Sequence, residues 1–241
     1  MRFFVPPSIL SMQFPNTGLD SQPPKPEGKF AVSPEALLKW EESLIHESEK
    51  IPSIHADLVE GFSVWEFDQM CVVLGRGSKV EEANTSQCEQ DSVPIVRRCS
   101  GGASIVAGPG CLMYSVVISL ELRPELRSIN AAHQFVMDKI HRAVVDIDHR
   151  VDLQGICDLS IDGRKFSGNA LRYKRDWLLY HGTILYDFPI QAIACYLNFP
   201  PRQPSYREGR SHEDFLTNIQ TSREQLSQRL CDIWGVRRTR D

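Results

Sequence analysis

Apolar positions along the chain change period several times, and each change marks an element. Between Pro34 and Glu49, Leu37, Leu38, Trp40, Leu44 and Ile45 recur at helical spacing. Ser33-Pro34-Glu35 ahead of them supplies an N-cap, a proline at the first helical position and an early acidic side chain, so a helix is predicted there. Short β-type runs follow at Cys71–Leu74, Ile95–Arg98, Ser104–Val106 and Leu112–Leu120. A helix from Val80 to Gln90, opened by acidic residues, separates the first two, and a longer helical pattern covers Ser128–Asp146. Leu159–Ile161 and Arg164–Arg172 read as strands joined by Asp162-Gly163, a strong hairpin signal. A strand over Trp177–Tyr186, a helix near Ile190–Leu197, a Pro/Arg-rich loop and a last helix over Arg223–Ile233 complete the pattern. Hairpins mixed with helices, and no internal repeat, predict an α+β fold with a largely antiparallel central sheet flanked by helices.

Residues 11–34 hold five of the fifteen prolines together with Gly, Ser, Asn and Gln, so residues 1–30 are expected to form a flexible leader and 31–241 a single domain. Net charge of −4 supplies no global basic field, and a nucleic-acid partner is disfavoured. No apolar run approaches the roughly 20 residues that span a bilayer. The stretch Met1–Leu10 is too short and broken for a signal peptide, so neither membrane nor export is expected. Seven cysteines occur singly, without a Cys-x-x-Cys pair, which points to reduced thiols in the cytoplasm and to no metal site.

Three segments carry candidate chemistry. In Arg97-Arg98-Cys99-Ser100-Gly101-Gly102-Ala103-Ser104-Ile105-Val106, two arginines end a strand and small residues turn into the next. Glycine backbones offer free N–H donors and arginine a fixed fork for phosphate, although a tight turn with solvated arginines reads equally well. In Asp158-Leu159-Ser160-Ile161-Asp162-Gly163-Arg164-Lys165-Phe166-Ser167-Gly168-Asn169, Lys165 stands between a hairpin turn and a patch of small residues, placed to neutralise charge developing on a carboxylate or phosphate. In His181-Gly182-Thr183, a glycine inside an apolar strand marks close approach by a backbone or ligand. The histidine there is a proton carrier or a satisfied core residue.

Together these segments resemble the lipoate–protein ligase A family, within the superfamily of biotin ligases, lipoate ligases and octanoyltransferases. The resemblance runs from about Ala36 to Asn218. Val72-Val73-Leu74-Gly75-Arg76 and Glu81-Glu82-Ala83-Asn84 resemble that family's strand-Gly-Arg and acidic helix. Arg97-Arg98-x-Ser100-Gly101-Gly102 resembles its Arg-Arg-x-Ser-Gly-Gly-Gly turn. Gly163-Arg164-Lys165-Phe166-Ser167-Gly168-Asn169-Ala170 and His181-Gly182-Thr183-Ile184-Leu185 resemble its lysine and histidine strands. The resemblance implies a biotin/lipoate ligase-like catalytic domain, itself similar to class II aminoacyl-tRNA synthetases. It implies ATP, magnesium and lipoate or octanoate, an acyl-adenylate intermediate, and transfer to a lysine of a lipoyl carrier domain. That carrier would be a 2-oxoacid dehydrogenase acyltransferase subunit or a glycine-cleavage H-type protein. On this resemblance Arg98 and the 101–103 backbone hold the nucleotide phosphate, Lys165 bridges acyl carbonyl and α-phosphate, and Gly75, Arg76, Ser100 and His181 shape the acyl tunnel. The loop Arg202–Arg210 takes the place of the family's basic adenylate-covering loop.

Ala103 replaces the family's third glycine, Ala107-Gly108 its His-Asp pair, Cys111 its asparagine, and Cys157-Asp158 its Asn-Asp pair. With Asp241 as the last residue, the accessory domain of the larger bacterial ligases is expected to be missing. Cys157 opens a rival mechanism, an ATP-independent transferase that carries the acyl group as a thioester, with Lys165 favouring the thiolate. A non-catalytic relative that binds an acyl group or carrier is the third reading, against which the retained Arg98 and Lys165 argue. A biotin ligase does not fit the residues after Arg97.

Overall fold

The computed structural model describes residues 10–12, 33–48 and 60–235 of the chain. The leader expected over 1–30 lies outside the described residues except for β1 (Leu10–Met12), which pairs as an antiparallel edge strand on β2 (Gly61–Trp65). Nothing in the sequence reading anticipated either strand.

The centre of the molecule is β6 (Cys111–Ser119), nine consecutive buried residues. It is flanked by β2 on one side and by β10 (Trp177–Leu185) on the other. Beyond β10 the sheet continues through β9 (Arg164–Lys174), β8 (Asp158–Ile161) and β7 (Val151–Gln154), all antiparallel. Asp162 and Gly163 have φ of 51° and 70°, the doubly left-handed turn that the dipeptide signalled between β8 and β9. Alternation along β6 divides the interior. Leu112, Tyr114, Val116 and Ile118 face a core closed by α3 (Ile129–Val145) and α6 (Arg223–Ile233). Met113 and Val117 face the opposite side, which α1 (Pro34–Ser48) covers. A strand buried on both faces loses the polar alternation of a surface strand, hence a run in which Ser115 and Ser119 are the two serines among apolar residues. Six α3 side chains, Ala132, Val136, Met137, Ile140, Ala143 and Val144, are buried, and the larger ones contribute about 1.5–3 kcal/mol each.

A second sheet packs on the α1 side. It consists of β3 (Cys71–Leu74) between β4 (Ile95–Arg97), parallel, and β5 (Ile105–Ala107), antiparallel. The expectation of one sheet with helices outside is therefore refined: the seven-stranded sheet is sandwiched between α3 with α6 and α1 with the small sheet. The helix expected over Val80–Gln90 is broken. A 3₁₀ turn at Val80–Glu82 is followed by extended Ala83, which bridges Leu197, and only then by α2 (Thr85–Gln90). Asn84 stops continuity because its side chain caps α2, accepting from the Gln87 N–H, while its backbone N–H goes to Tyr196 O. After β10 come α4 (Gln191–Tyr196), a long loop and α5 (His212–Phe215). No helix among the described residues is long and apolar enough to cross a membrane.

Candidate active site

Between the edge of the small sheet and the β9–β10 pair lies a cleft of about 150 Å³. Its sheet side is formed by Ala103–Val106, Lys165, Ser167, Gly168, Thr183 and Leu185; its other wall comes from α4 and the loop running to Leu216. Alternation on β9 puts Phe166 in the core and turns Lys165 outward.

Lys165 is held from two directions. Its Nζ lies 2.8 Å from Asp158 Oδ1 across the hairpin, and Asp158 Oδ2 accepts a hydrogen bond of 2.9 Å from the Tyr206 hydroxyl. A side chain at Gly168 would come 2.8 Å from that Nζ, so the glycine provides the channel in which the lysine lies. The main chain fixes the position as well: Thr217 N–H donates to Lys165 O, and Leu216 bridges Lys165 in parallel. Arg164 donates to the carbonyls of Glu213 and Leu216, and Arg210 to those of Gly163 and Tyr206. The loop and the lysine hairpin are thereby fastened together.

Both adjacent arginines turn their guanidinium donors to main-chain carbonyls. Arg98 is 8% exposed, and its guanidinium donates to Gly101 O, Ala103 O and Ser100 Oγ at 2.6, 2.9 and 3.1 Å. Burial depresses its pKa to about 10. It therefore braces the small-residue turn instead of lining the cleft, and Gly102, with φ of 91°, leaves the room this bracing needs. Arg97 likewise donates to the carbonyls of Gly75, Arg76 and Ser78, and Arg76 N–H donates to Ser100 O. Both turns are clamped to each other.

Behind the turn runs a buried polar chain. Ser100 Oγ is 2.5 Å from His181 Nε2, and His181 Nδ1 is 2.9 Å from Glu41 Oε1 on α1. Glu41 also accepts from Ser115 Oγ, which accepts from the Trp65 indole N–H at 3.1 Å. His181 and Ser115 are register partners on β10 and β6 and share the face toward α1. Glu41 was missed although its position gave a signal: it lies one turn from both Leu37 and Ile45, a carboxylate on the buried stripe of α1. Tyr206 was missed as an individual residue, since its contact to Asp158 joins parts of the chain far apart.

Of the residues singled out from sequence, Ala103, Ser104, Ile105, Val106, Lys165, Ser167, Gly168 and Thr183 line the cleft, and Asp158 pairs with Lys165. Gly75, Arg76, Arg97, Arg98, Ser100, Gly101, Gly102 and His181 form the braced turn and its support. Asn169 and Gly182 sit on the opposite face of β9 and β10. There the Asn169 amide accepts from the Tyr114 hydroxyl and donates to Cys157 O, and it fills the space beside Gly182. Asn169 is thus a strand-to-strand lock and not a cleft residue. Cys157 donates its thiol to Asn169 O at 3.3 Å, and burial pushes its pKa up to about 11 against the weaker downward pull of Lys165.

A braced small-residue turn facing a lysine hairpin, on this arrangement of sheets, is the architecture of the lipoate and biotin ligase fold, and comparison with known proteins agrees. Residues 33–230 match the lipoyl protein ligase A/B catalytic domain. The chain belongs to that family. It is 27% identical over 144 residues to the lipoate-protein ligase LplJ of Bacillus subtilis, a match covering 59% of this chain and 42% of that protein. The chain thus spans less than half the length of this curated relative. A lipoate-protein ligase A bound with ATP superposes with a TM-score of 0.66 at 15% identity, covering 85% of this chain and 82% of the other. A bipartite lipoate protein ligase of Thermoplasma acidophilum, studied with its E2 lipoyl domain, gives 0.64 at 16% identity, covering 83% and 81%. These two likenesses speak for the fold.

Proposed function

We propose that this chain ligates lipoate, or octanoate, to a lysine of a lipoyl carrier domain in an ATP-dependent reaction through an acyl-adenylate. The observation that carries this reading is Lys165, held over Gly168 in the cleft by Asp158 and Tyr206. In the first step a carboxylate oxygen of the acid attacks the α-phosphorus of ATP; the acyl–O–P bond forms and the bond to pyrophosphate breaks. In the second step the unprotonated carrier amine attacks the acyl carbonyl, the amide forms, AMP departs, and the amine gives up a proton. Negative charge builds on phosphoryl oxygens first and on the acyl oxygen second. A fixed ammonium facing both is worth far more in a cleft than in water. The turn and edge strand along Ala103–Val106 line the same cleft and suit the nucleotide.

The cleft fits magnesium as a companion of ATP rather than as a resident ion. Asp158 is the carboxylate beside Lys165, and among the described residues no three His, Cys, Asp or Glu gather to hold a metal alone. The carrier reading draws support from the Thermoplasma ligase and its E2 lipoyl domain; an acyltransferase subunit or an H-type protein would serve here. All seven cysteines are unpaired, which suits the reducing cytoplasm. The thioester alternative loses ground, because a thiol with its pKa raised to about 11 is protonated at neutral pH. The test is intact-mass analysis of an apo lipoyl domain incubated either with ATP and lipoate or with an octanoyl carrier protein and no ATP. Modification in the first mixture alone is expected; modification in the second alone would refute the proposal.

A further inference from the structure

The arginines around the cleft and the braced turn differ in what their donors reach. Arg98, Arg164 and Arg210 turn their donors to main-chain carbonyls. Arg207 does not follow them. It is 4% exposed, its Nε donates to Arg210 O at 2.9 Å, and its Nη2 is buried with no hydrogen-bond partner among the described residues. The guanidinium carbon lies 4.8 Å from the Phe199 ring centre and 5.0 Å from that of Phe215. His212, on the same wall, has a second such atom: its Nε2 is buried without a hydrogen-bond partner among the described residues, while the ring is bonded to the backbone of Asn198. Burial and Arg210 lower the Arg207 pKa, and no acidic group offsets them. A desolvated cation without a counter-charge is costly, and a fold keeps one where a ligand supplies the missing charge.

We propose that Arg207, with His212 beside it, forms the subsite for the pyrophosphate end of the nucleotide, across the cleft from Lys165. This rests on the ATP-dependent reading above. The two rings hold the guanidinium plane in place, so its free nitrogen meets phosphoryl oxygens without first losing side-chain freedom. The same burial and the charge of Arg207 hold the His212 imidazole neutral; an anion between the two removes that penalty and lets the ring donate. Charge on the departing pyrophosphate is then neutralised from the loop wall while Lys165 attends to the reacting centre. The tandem Arg97-Arg98, which the sequence offers first for phosphate, has its donors turned elsewhere.

Titration calorimetry on the full chain decides this, with inorganic pyrophosphate, ATP and adenosine as probes. Wild type should bind pyrophosphate and ATP, and Arg207→Met should weaken both by about tenfold or more, the scale of one lost charge-assisted contact. Adenosine affinity should stay constant, and Arg207→Lys should fall between. His212→Gln, which keeps both phenylalanines beside Arg207, should weaken pyrophosphate about threefold and carries the test if Arg207→Met melts at a much lower temperature. Equal pyrophosphate affinity in wild type and both variants overturns the subsite, as does a loss confined to adenosine, which would mean that the pair reads the base. ATP-dependent acyl transfer with unaltered pyrophosphate binding removes the subsite and leaves the ligase reading standing. Acyl transfer without ATP removes that reading instead.

Discussion

On the proposed reading, removing the ammonium of Lys165 deletes the charge that faces both bond-making steps. Lys165→Ala should lower acyl transfer by about 10²–10³-fold, the usual cost of one charge-stabilising group, with little change in melting temperature. Wild-type turnover in single-turnover kinetics would contradict the assignment. Cys157 makes the complementary case. Its thiol is protonated and bonded to Asn169 O, so Cys157→Ser should keep transfer within about twofold, given that a hydroxyl can make the same bond. Intact mass of the wild-type enzyme after incubation with octanoyl carrier protein should show no acyl adduct. An adduct that disappears in the serine variant would reverse the ranking of the two mechanisms. At this scale the motif residues were legible because their chemistry is local: Lys165 follows a turn and precedes small residues. Glu41 and Tyr206 were not, because their partners, His181 and Asp158, are brought to them only by the tertiary fold.

Elements set the geometry in which those residues act. The turn from Ser100 to Ala103 keeps its shape through Arg98, a planar fork that lysine cannot imitate. Arg98→Lys should therefore destabilise the protein by about 1–3 kcal/mol in urea unfolding, because buried carbonyls lose their donors. It should raise the KM for ATP as a secondary effect of a loosened turn; unchanged stability would show that the bracing is dispensable. In α3, Ile140 is wholly buried between helix and sheet, and Ile140→Ala should cost about 2–5 kcal/mol in the same assay. The strands and helices with strong periodicity, α1, α3, β6, β10 and the β8–β9 hairpin, could be read from the chain to within a residue or two. β2 and β7 could not. Gly61–Trp65 is too short to show a period, and the alternation of Val151–Gln154 is too brief to stand apart from a loop. The break inside Val80–Gln90 follows from the Ala83–Leu197 bridge, a pairing that no local pattern encodes.

Across the whole molecule, the separation into two sheets is what makes a cleft at all. The small sheet brings the braced turn, the large sheet brings Lys165, and the loop between α4 and β9's neighbour Leu216 closes the third side. Sequence pattern gave the α+β class but not this division, since the parallel β3–β4 pairing depends on where the connecting segment travels. The closing loop is also tied to the floor it covers. Arg164 and Arg210 fasten it, Leu216 and Thr217 join it to the backbone of Lys165, and Tyr206 holds the carboxylate that holds the amine. Tyr206 thus links the loop to the Asp158 carboxylate whose other oxygen holds Lys165 over Gly168. Loop and lysine are then one connected unit, and on the proposed reading an adenylate would meet the positioned amine under the same cover that keeps water out.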